Sequence, residues 1–231
     1  MKRILMATVV MSVLAGAVSV AAQKSPLPGP SERHLFTGQV LLGYYGGVGI
    51  QASGTLTNFA EDFPFQVRLG LGCNYVDAGN ALLARQVFIN NNTNGTPQKR
   101  GKMWDVRLDV LYPVKLLSLK RTMLFAGPRH SNFDAHFEYI GGAETFDVTD
   151  NQWGVGSGVE TAFALSPRVD MIVTGGVDYY FPGTLSGHDT YYRPNNDNTH
   201  PIDNYTYKDA EAAINQPELK ARMMLGVAYR F

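Results

Sequence analysis

The chain has 231 residues, of which 45% are hydrophobic, 17% charged and 11% aromatic, with 24 glycines, one cysteine and 20 basic against 20 acidic side chains. Few charges and many aromatics exclude a disordered chain, and a single cysteine excludes a disulfide scaffold. The even charge balance lacks the basic footprint of a nucleic-acid binder.

The chain opens with Lys2 and Arg3, an almost unbroken apolar run from Ile4 to Val20, and the small residues Val20-Ala21-Ala22. That order predicts a secretory signal peptide over 1–22; the run is marginal in length and rich in small residues for a membrane anchor. No cysteine stands directly after the cleavage site, so the chain does not read as a lipoprotein. Residues 1–22 carry two basic and no acidic side chains, so their removal leaves a net charge of −2. Residues 23–34, with Pro26, Pro28 and Pro30, read as an extended leader, and 35–231 as the folded domain.

No later run reaches 18 apolar residues, so a bundle of membrane helices is excluded. From residue 36 the chain alternates with period two instead, which in strands sends alternate side chains to opposite faces. Phe36, Val40, Leu42 and Tyr44 continue on the same parity as Val48, Ile50, Ala52 and Leu56. A turn at Tyr45-Gly46-Gly47 pairs Tyr44 with Val48 and Leu42 with Ile50, with glycine supplying positive φ. Next, Phe63, Phe65, Val67, Leu69, Leu71, Cys73 and Tyr75 alternate with Pro64, Gln66, Arg68, Gly70, Gly72 and Asn74. Trp104, Val106, Leu108, Val110 and Tyr112 alternate with Met103, Asp105, Arg107, Asp109 and Leu111.

The stretch 121–140 alternates less cleanly. Phe133, Ala135, Phe137 and Tyr139 oppose Asp134, His136 and Glu138, after a polar segment Pro128–Asn132 that predicts a bulge or kink. Trp153, Val155, Val159, Phe163 and Leu165 follow, then Val169, Met171, Val173, Val177, Tyr179 and Phe181 opposite Arg168, Asp170, Thr174 and Asp178. The last run sets Leu219, Ala221, Met223, Leu225, Val227, Tyr229 and Phe231 against Glu218, Lys220, Arg222, Met224, Gly226, Ala228 and Arg230.

These are eight strands of about the length that crosses a bilayer at a tilt. Their connections sort into two kinds. At one end lie 58–62, 113–120 and Ser166-Pro167, all short; at the other lie the Gly-Gly turn and the long loops 77–101, 141–151 and 182–217. Tyr44, Tyr75, Trp104, Tyr139, Trp153 and Tyr179 fall at the long-loop end, and Phe36, Phe63, Tyr112, Phe163, Tyr229 and Phe231 at the other, as two interfacial girdles would. A sheet edge left in hydrocarbon carries unsatisfied backbone groups, so the sheet must close. A soluble lipocalin-like barrel would place the apolar set inside, against the charges found on the opposite face of nearly every strand.

The fold class is therefore all-β, a transmembrane antiparallel up-and-down barrel of eight strands, and the whole mature chain resembles the OmpA/OmpX-type outer-membrane barrels. The most specific element is Ala221-x-Met223-x-Leu225-x-Val227-x-Tyr229-x-Phe231, similar to the signal read by the barrel-assembly machinery, with Tyr229 and Phe231 its aromatic end. The resemblance implies location in the bacterial outer membrane of a Gram-negative envelope, insertion by that machinery as a monomer, and contact with membrane lipid and lipopolysaccharide. It departs from OmpA in that the sequence stops on the last strand with no peptidoglycan-binding domain.

A barrel of eight strands is just wide enough for its side chains to fill. Its expected lumen set is Arg68, Asp105, Arg107, Asp109, His136, Glu138, Glu160, Asp170, Asp178 and Arg222, near balance in charge, which reads as a salt-bridged plug. A narrow porin-like path for small solutes is the alternative. The segment Arg129-His130-Ser131-Asn132 is similar to the His-x-Ser-Asn of lipid A deacylases, but adjacent strand residues face opposite sides, so a Ser–His pair there needs a bulge. An enzyme is not expected, nor a cofactor or metal.

In the loops, Asn195-Asn196-Asp197-Asn198 with Asp189, Asp203 and Asp209 is rich in the oxygen ligands that suit Ca²⁺, without EF-hand spacing. Lys208–Ile214 reads as a short helix stopped by Pro217 that caps the mouth. Residues 90–102 read as a loop tip whose Lys99, Arg100 and Lys102 are candidate contacts for lipopolysaccharide phosphates. Cys73 is expected to face lipid. The role expected is structural or surface binding through the long loops to an extracellular ligand.

Overall fold

The computed structural model describes residues 36–57, 65–90, 94–116, 119–142, 144–202 and 204–231. The predicted signal peptide and leader, Phe63, Pro64 and Asp203 lie outside the described residues. Eight strands form the wall: β1 (Phe36–Tyr45), β2 (Gly47–Leu56), β3 (Gln66–Val76), β4 (Thr96–Leu116), β5 (Leu119–Ile140), β6 (Thr145–Ala164), β7 (Val169–Tyr180) and β10 (Leu219–Arg230). Between β3 and β4 lies helix α1 (Ala81–Phe88); between β7 and β10 lie the short strands β8 (Leu185–Gly187) and β9 (Thr190–Tyr192) and helix α2 (Tyr207–Ala213). Each wall strand pairs antiparallel with its chain neighbours, β1 pairs with β10, and β5 with β6, which closes the barrel.

The β1–β2 hairpin has the register its glycine turn predicts, Tyr44 opposite Val48 and Leu42 opposite Ile50, with Gly46 at φ 68°. Outward residues of the lower wall are apolar and open to the membrane: Leu42, Leu69, Leu71, Leu108, Val177, Leu225 and Val227 are all exposed. Aromatic rings flank this band at both ends. Tyr44, Tyr75, Trp104 and Trp153 project outward above it, and Phe36, Phe163, Tyr229 and Phe231 below, with Phe36 and Phe231 in contact at 5.3 Å. On β4 the two girdle residues, Trp104 and Tyr112, stand eight apart, about 27 Å of strand before tilt.

The wall is not of even height. β1, β2, β3, β7 and β10 have 10 to 12 residues, whereas β4, β5 and β6 have 21, 22 and 20. Thus 96–101 and 145–151, expected as loop, are strand, and the β5–β6 connection shrinks to 141–144. Pro128 makes no bulge. β5 keeps one register against β6 from Thr122 to Glu138, and against β4 the register is the same on both sides of Pro128, at Arg107–Arg129 and Val110–Ala126. The proline ring faces outward, and Gly127 beside it lets the β4 backbone approach: a Cβ there would stand 1.8 Å from the Leu108 carbonyl oxygen.

Above the band the three tall strands reverse their chemistry while keeping their parity. On β5 the odd residues point inward from Arg129 to Tyr139, so Phe133, Ala135, Phe137 and Tyr139 are buried inside, not lipid-facing. Asp134, His136 and Glu138 face outward. The reason is the solvent: beyond the girdle the outer face meets water rather than hydrocarbon, so the low-energy pattern becomes apolar-in. His136 and Glu138, expected in the lumen, are corrected to this water-facing surface, and Tyr139 to the interior.

The apolar interior so created is covered from the open side. Phe133, Phe137, Phe146 and Val148 pack with Ala84, Val87 and Phe88 of α1, with Tyr192 of β9, and with Tyr207, Ala210 and Ala213 of α2. Asn80 caps α1, its Oδ1 accepting from the Leu82 and Leu83 amides at 3.1 and 3.2 Å. Tyr139 donates to the Ala81 carbonyl and Tyr192 to the Val87 carbonyl, the latter at 2.8 Å, so both phenols tie the helix to the wall. α2 ends at Ala213 with Ile214 as its extended C-cap, so the helix stops before it reaches Pro217.

The inversion predicts opposite tolerances on one outer surface. Leu69→Arg, in the membrane band, is expected to cost about 2 to 4 kcal/mol in lipid, and Glu138→Arg, above it, less than about 0.5 kcal/mol. Urea titration of the folded protein in phospholipid vesicles measures both.

Candidate functional site

The interior within the membrane band is polar. Four arginines, Arg68, Arg107, Arg129 and Arg222, and four acids, Asp105, Asp109, Glu160 and Asp178, are buried there from strands β3 to β7 and β10. Neighbouring strands bring opposite charges together because inward positions alternate in step around the barrel. Arg68 donates from both terminal nitrogens to Glu160 at 2.7 and 2.6 Å and from Nε to Thr55 at 2.9 Å, while Gln39 donates to Glu160 at 3.3 Å. Arg107 binds Asp105 at 2.9 and 2.6 Å and lies 3.6 Å from Asp178. Arg129 closes the ring, with Nε on Asp178 at 2.8 Å and a terminal nitrogen on Asp109 at 2.7 Å.

Arg222 is held differently. It donates to Gln51 at 3.2 Å and lies over the Phe125 ring at 4.8 Å, a cation–π contact that replaces a carboxylate partner. Above it Tyr45 and Tyr180 meet hydroxyl to hydroxyl at 2.5 Å, and Arg107 lies 5.2 Å over the Tyr45 ring. Small residues on the lumen face give these groups their room. A Cβ on Gly72 would stand 2.1 Å from Asp105 Oδ1, and one on Gly156 1.6 Å from Asp178 Oδ1.

Asp170 sits apart at the short-turn rim, bound by Arg121 at 3.1 Å and Arg230 at 3.2 Å. Of the sequence-predicted set, Arg68, Asp105, Arg107, Asp109, Glu160, Asp178 and Arg222 share the lumen, while His136 pairs with Asp147 at 2.5 Å on the outer surface, near Asp134. Arg129, which joins two of the acids, was not in that set. Counting parity back from Pro128 on the lipid side finds it. Gln39, Gln51 and Thr55 were also missed, since neutral polar side chains carry no charge signal.

Two ion pairs lie in the head, one made by the buried Arg85 of α1 and one at the surface. The Arg85 guanidinium, 2.5 Å from Glu144, holds that carboxyl below its usual value, and the Lys99 ammonium, 2.6 Å from Asp77, does the same there. Lys99 is thus committed to Asp77, and only Arg100 and Lys102 of the basic trio project outward, Lys102 lying 4.8 Å over Trp104.

The other candidates resolve as follows. His130 faces outward against Trp153 at 4.8 Å and Ser131 faces inward, fully buried, so the two do not form a nucleophile–base pair. In the 195–198 stretch the side-chain oxygens hold the loop: Asn195 accepts from the Asp197 amide at 3.1 Å, Asn196 from Tyr207 at 3.1 Å and Asn198 from Arg193 at 3.0 Å. Among the described residues no group of three His, Cys, Asp or Glu is placed to hold a metal ion. Cys73 lies on the outward parity of β3, opposite Ile50 and Trp104.

No protein-family model matches the sequence, and no curated protein matches it. Among solved structures, the chain is similar to a major outer membrane protein from Thermus thermophilus, at 25% identity and a TM-score of 0.67, over 85% of this chain and 98% of that one. It is also similar to Neisserial surface protein A (12% identity, TM-score 0.39, 85% and 94% covered) and to Ail, the attachment invasion locus protein of Yersinia pestis (13% identity, TM-score 0.43, 85% and 95% covered). Only the first is close enough to bear on the fold. The protein is an eight-stranded antiparallel up-and-down β-barrel, and it is located in the bacterial outer membrane.

Breaking the lumen ring strands buried charge. Arg129→Ala leaves Asp109 and Asp178 without their shared partner and is expected to destabilise the barrel by about 3 to 5 kcal/mol. Arg230→Ala, at the hydrated rim, is expected to cost less than about 1 kcal/mol. The spread between the two in vesicle unfolding is the readout.

Proposed function

We propose that this protein is a non-catalytic, non-conducting barrel that serves the outer membrane in a structural or surface-binding role through the head formed by its long loops. The observation that supports this most directly is the lumen ring: Arg68–Glu160, Arg107–Asp105 and Arg129–Asp178 fill the cross-section with paired side chains. Moving solute past them would require separating buried ion pairs. The head, by contrast, is built on strands twice the length the membrane needs and is packed by two helices.

Outward placement of Tyr229 and Phe231 at the lower girdle fits recognition by the barrel-assembly machinery. Closure by the β1–β10 pair leaves no strand edge within the membrane band, which fits a monomer. The outer wall contacts membrane lipid, and Arg100 and Lys102 above Trp104 are the positions best placed for lipopolysaccharide phosphates. The Thermus relative is described as a major outer membrane protein, in keeping with a structural role.

Planar-bilayer recording tests the reading. The folded protein is expected to show no single-channel steps, and reproducible steps of fixed size would replace this function with a narrow channel.

A further inference from the structure

We propose that the outer wall at the β1–β10 seam carries a site for one phospholipid, with its acyl chains in a groove across β10, β1, β2 and β3 and its phosphate on Arg168. The groove has a volume of 660 Å³ and lies on the lipid-facing side near the short-turn rim. That volume is within the roughly 300 to 1,000 Å³ of small-molecule sites. Long loops face outward in outer-membrane barrels, so this rim belongs to the periplasmic leaflet.

Strand register builds the groove. Gly38 lies opposite Gly54, and Val40 opposite Ala52, on the outward face of β1 and β2. Their neighbours on either side are large: Leu69 and Leu71 of β3 pair with Gly54 and Ala52, and Tyr229 and Val227 of β10 pair with Gly38 and Val40. The two banks stand three strand spacings apart, about 14 Å. Phe36 and Phe231 close the lower end, where a Cβ on Gly54 would stand 3.0 Å from the Phe36 ring and one on Gly38 3.4 Å from the Phe231 ring. The banks are exposed and apolar. Hydrocarbon surrounds this part of the wall and offers no polar occupant, so what fills the groove is acyl chain.

The rim supplies the complementary charge. Arg121 and Arg230 are both bound to Asp170, at 3.1 and 3.2 Å. Arg168 is exposed on the turn before β7 and makes no ion pair among the described residues; its guanidinium donates to the Tyr229 hydroxyl at 3.4 Å, at the β10 bank of the groove. A guanidinium takes a phosphate through two parallel N–H donors. A phenol at the membrane interface keeps its ring in hydrocarbon and its hydroxyl at headgroup level. Tyr229 thus places the free cation directly above the apolar channel, the spacing of a phosphate from its acyl chains. The site rests on the barrel's place in the membrane and not on the loop-mediated role, so single-channel steps would overturn that role and leave this site standing.

Native mass spectrometry of the full folded protein, delipidated in detergent and titrated with dipalmitoyl phosphatidylethanolamine, dipalmitoyl phosphatidylglycerol and dipalmitoylglycerol, tests the site. An adduct that saturates at one phospholipid per barrel is expected, weakened about tenfold when dipalmitoylglycerol replaces the phospholipid or by Arg168→Ala. Ala52→Trp, which fills the groove with an apolar ring on the lipid face, is expected to abolish the adduct, and Leu108→Trp, on β4 away from the groove, to leave it unchanged. Heat-modifiable gel mobility checks that each variant is folded; should Ala52→Trp misfold, Arg168→Ala at its exposed turn carries the test. Adducts that accumulate without saturating at one, dipalmitoylglycerol bound as tightly as the phospholipids, an adduct that survives Ala52→Trp, or a protein dimer lost in Ala52→Trp without any lipid adduct would each overturn the proposal.

Discussion

The molecule is organised by a change of solvent partway along its own strands. Hydrocarbon offers no partner for a backbone N–H or C=O, so within the membrane the sheet must close on itself and turn its apolar residues outward. Water begins above the Trp104 and Trp153 level, and there the same inward positions that held arginines and aspartates on β4, β5 and β6 hold Phe133, Phe137 and Phe146. The strands do not break at this boundary. Their continuous register carries one rigid wall from a membrane barrel into a water-soluble head, so the head is positioned by the membrane part without a hinge.

Each half solves the packing of a narrow tube in its own way. In the band, four arginines and four carboxylates fill the lumen, and glycines such as Gly72 and Gly156 make the space that large side chains on facing strands occupy. In the head, most of the wall is missing, since five of its eight strands, β1, β2, β3, β7 and β10, stop near the girdle. The exposed inner face of β4 to β6 is covered by α1, β9 and α2 instead, and the seam where α2 returns to β10 leaves a mouth cavity. A lumen crossed by buried ion pairs thus lies beneath a head packed by two helices.

Most of the barrel was legible in the sequence because period-two alternation is strong wherever one face meets lipid. The parity of β1, β2, β3, β4, β6, β7 and β10, the register of the Gly46 hairpin and seven lumen charges all follow from it. β5 was misread for the same reason. Alternation reports which residues share a face and not which face is inside, and Phe133 to Tyr139 were assigned outward by assuming hydrocarbon on the outside throughout. That assumption also displaced His136 and Glu138 into the lumen and hid Arg129. The extended lengths of β4 and β6 were illegible for a related cause, since Thr96–Lys102 and Thr145–Asn151 are polar on the outward side and resemble loop. The mouth cavity is lined by Gln152 and Gln216, 64 residues apart in the chain, which no local pattern encodes.

The most direct test of this account is a spin-label scan along the outward positions of β5 in lipid vesicles, at Leu124, Ala126, His130, Asp134, His136 and Glu138, reading relative access of oxygen and of a water-soluble nickel complex. Oxygen is predicted to dominate at 124 and 126, with a crossover near His130 and full access of the nickel complex at 134, 136 and 138. Oxygen-dominated access continuing to 138, or labels at 136 and 138 shielded from both reagents, would contradict a strand that passes from hydrocarbon into water with its faces unchanged.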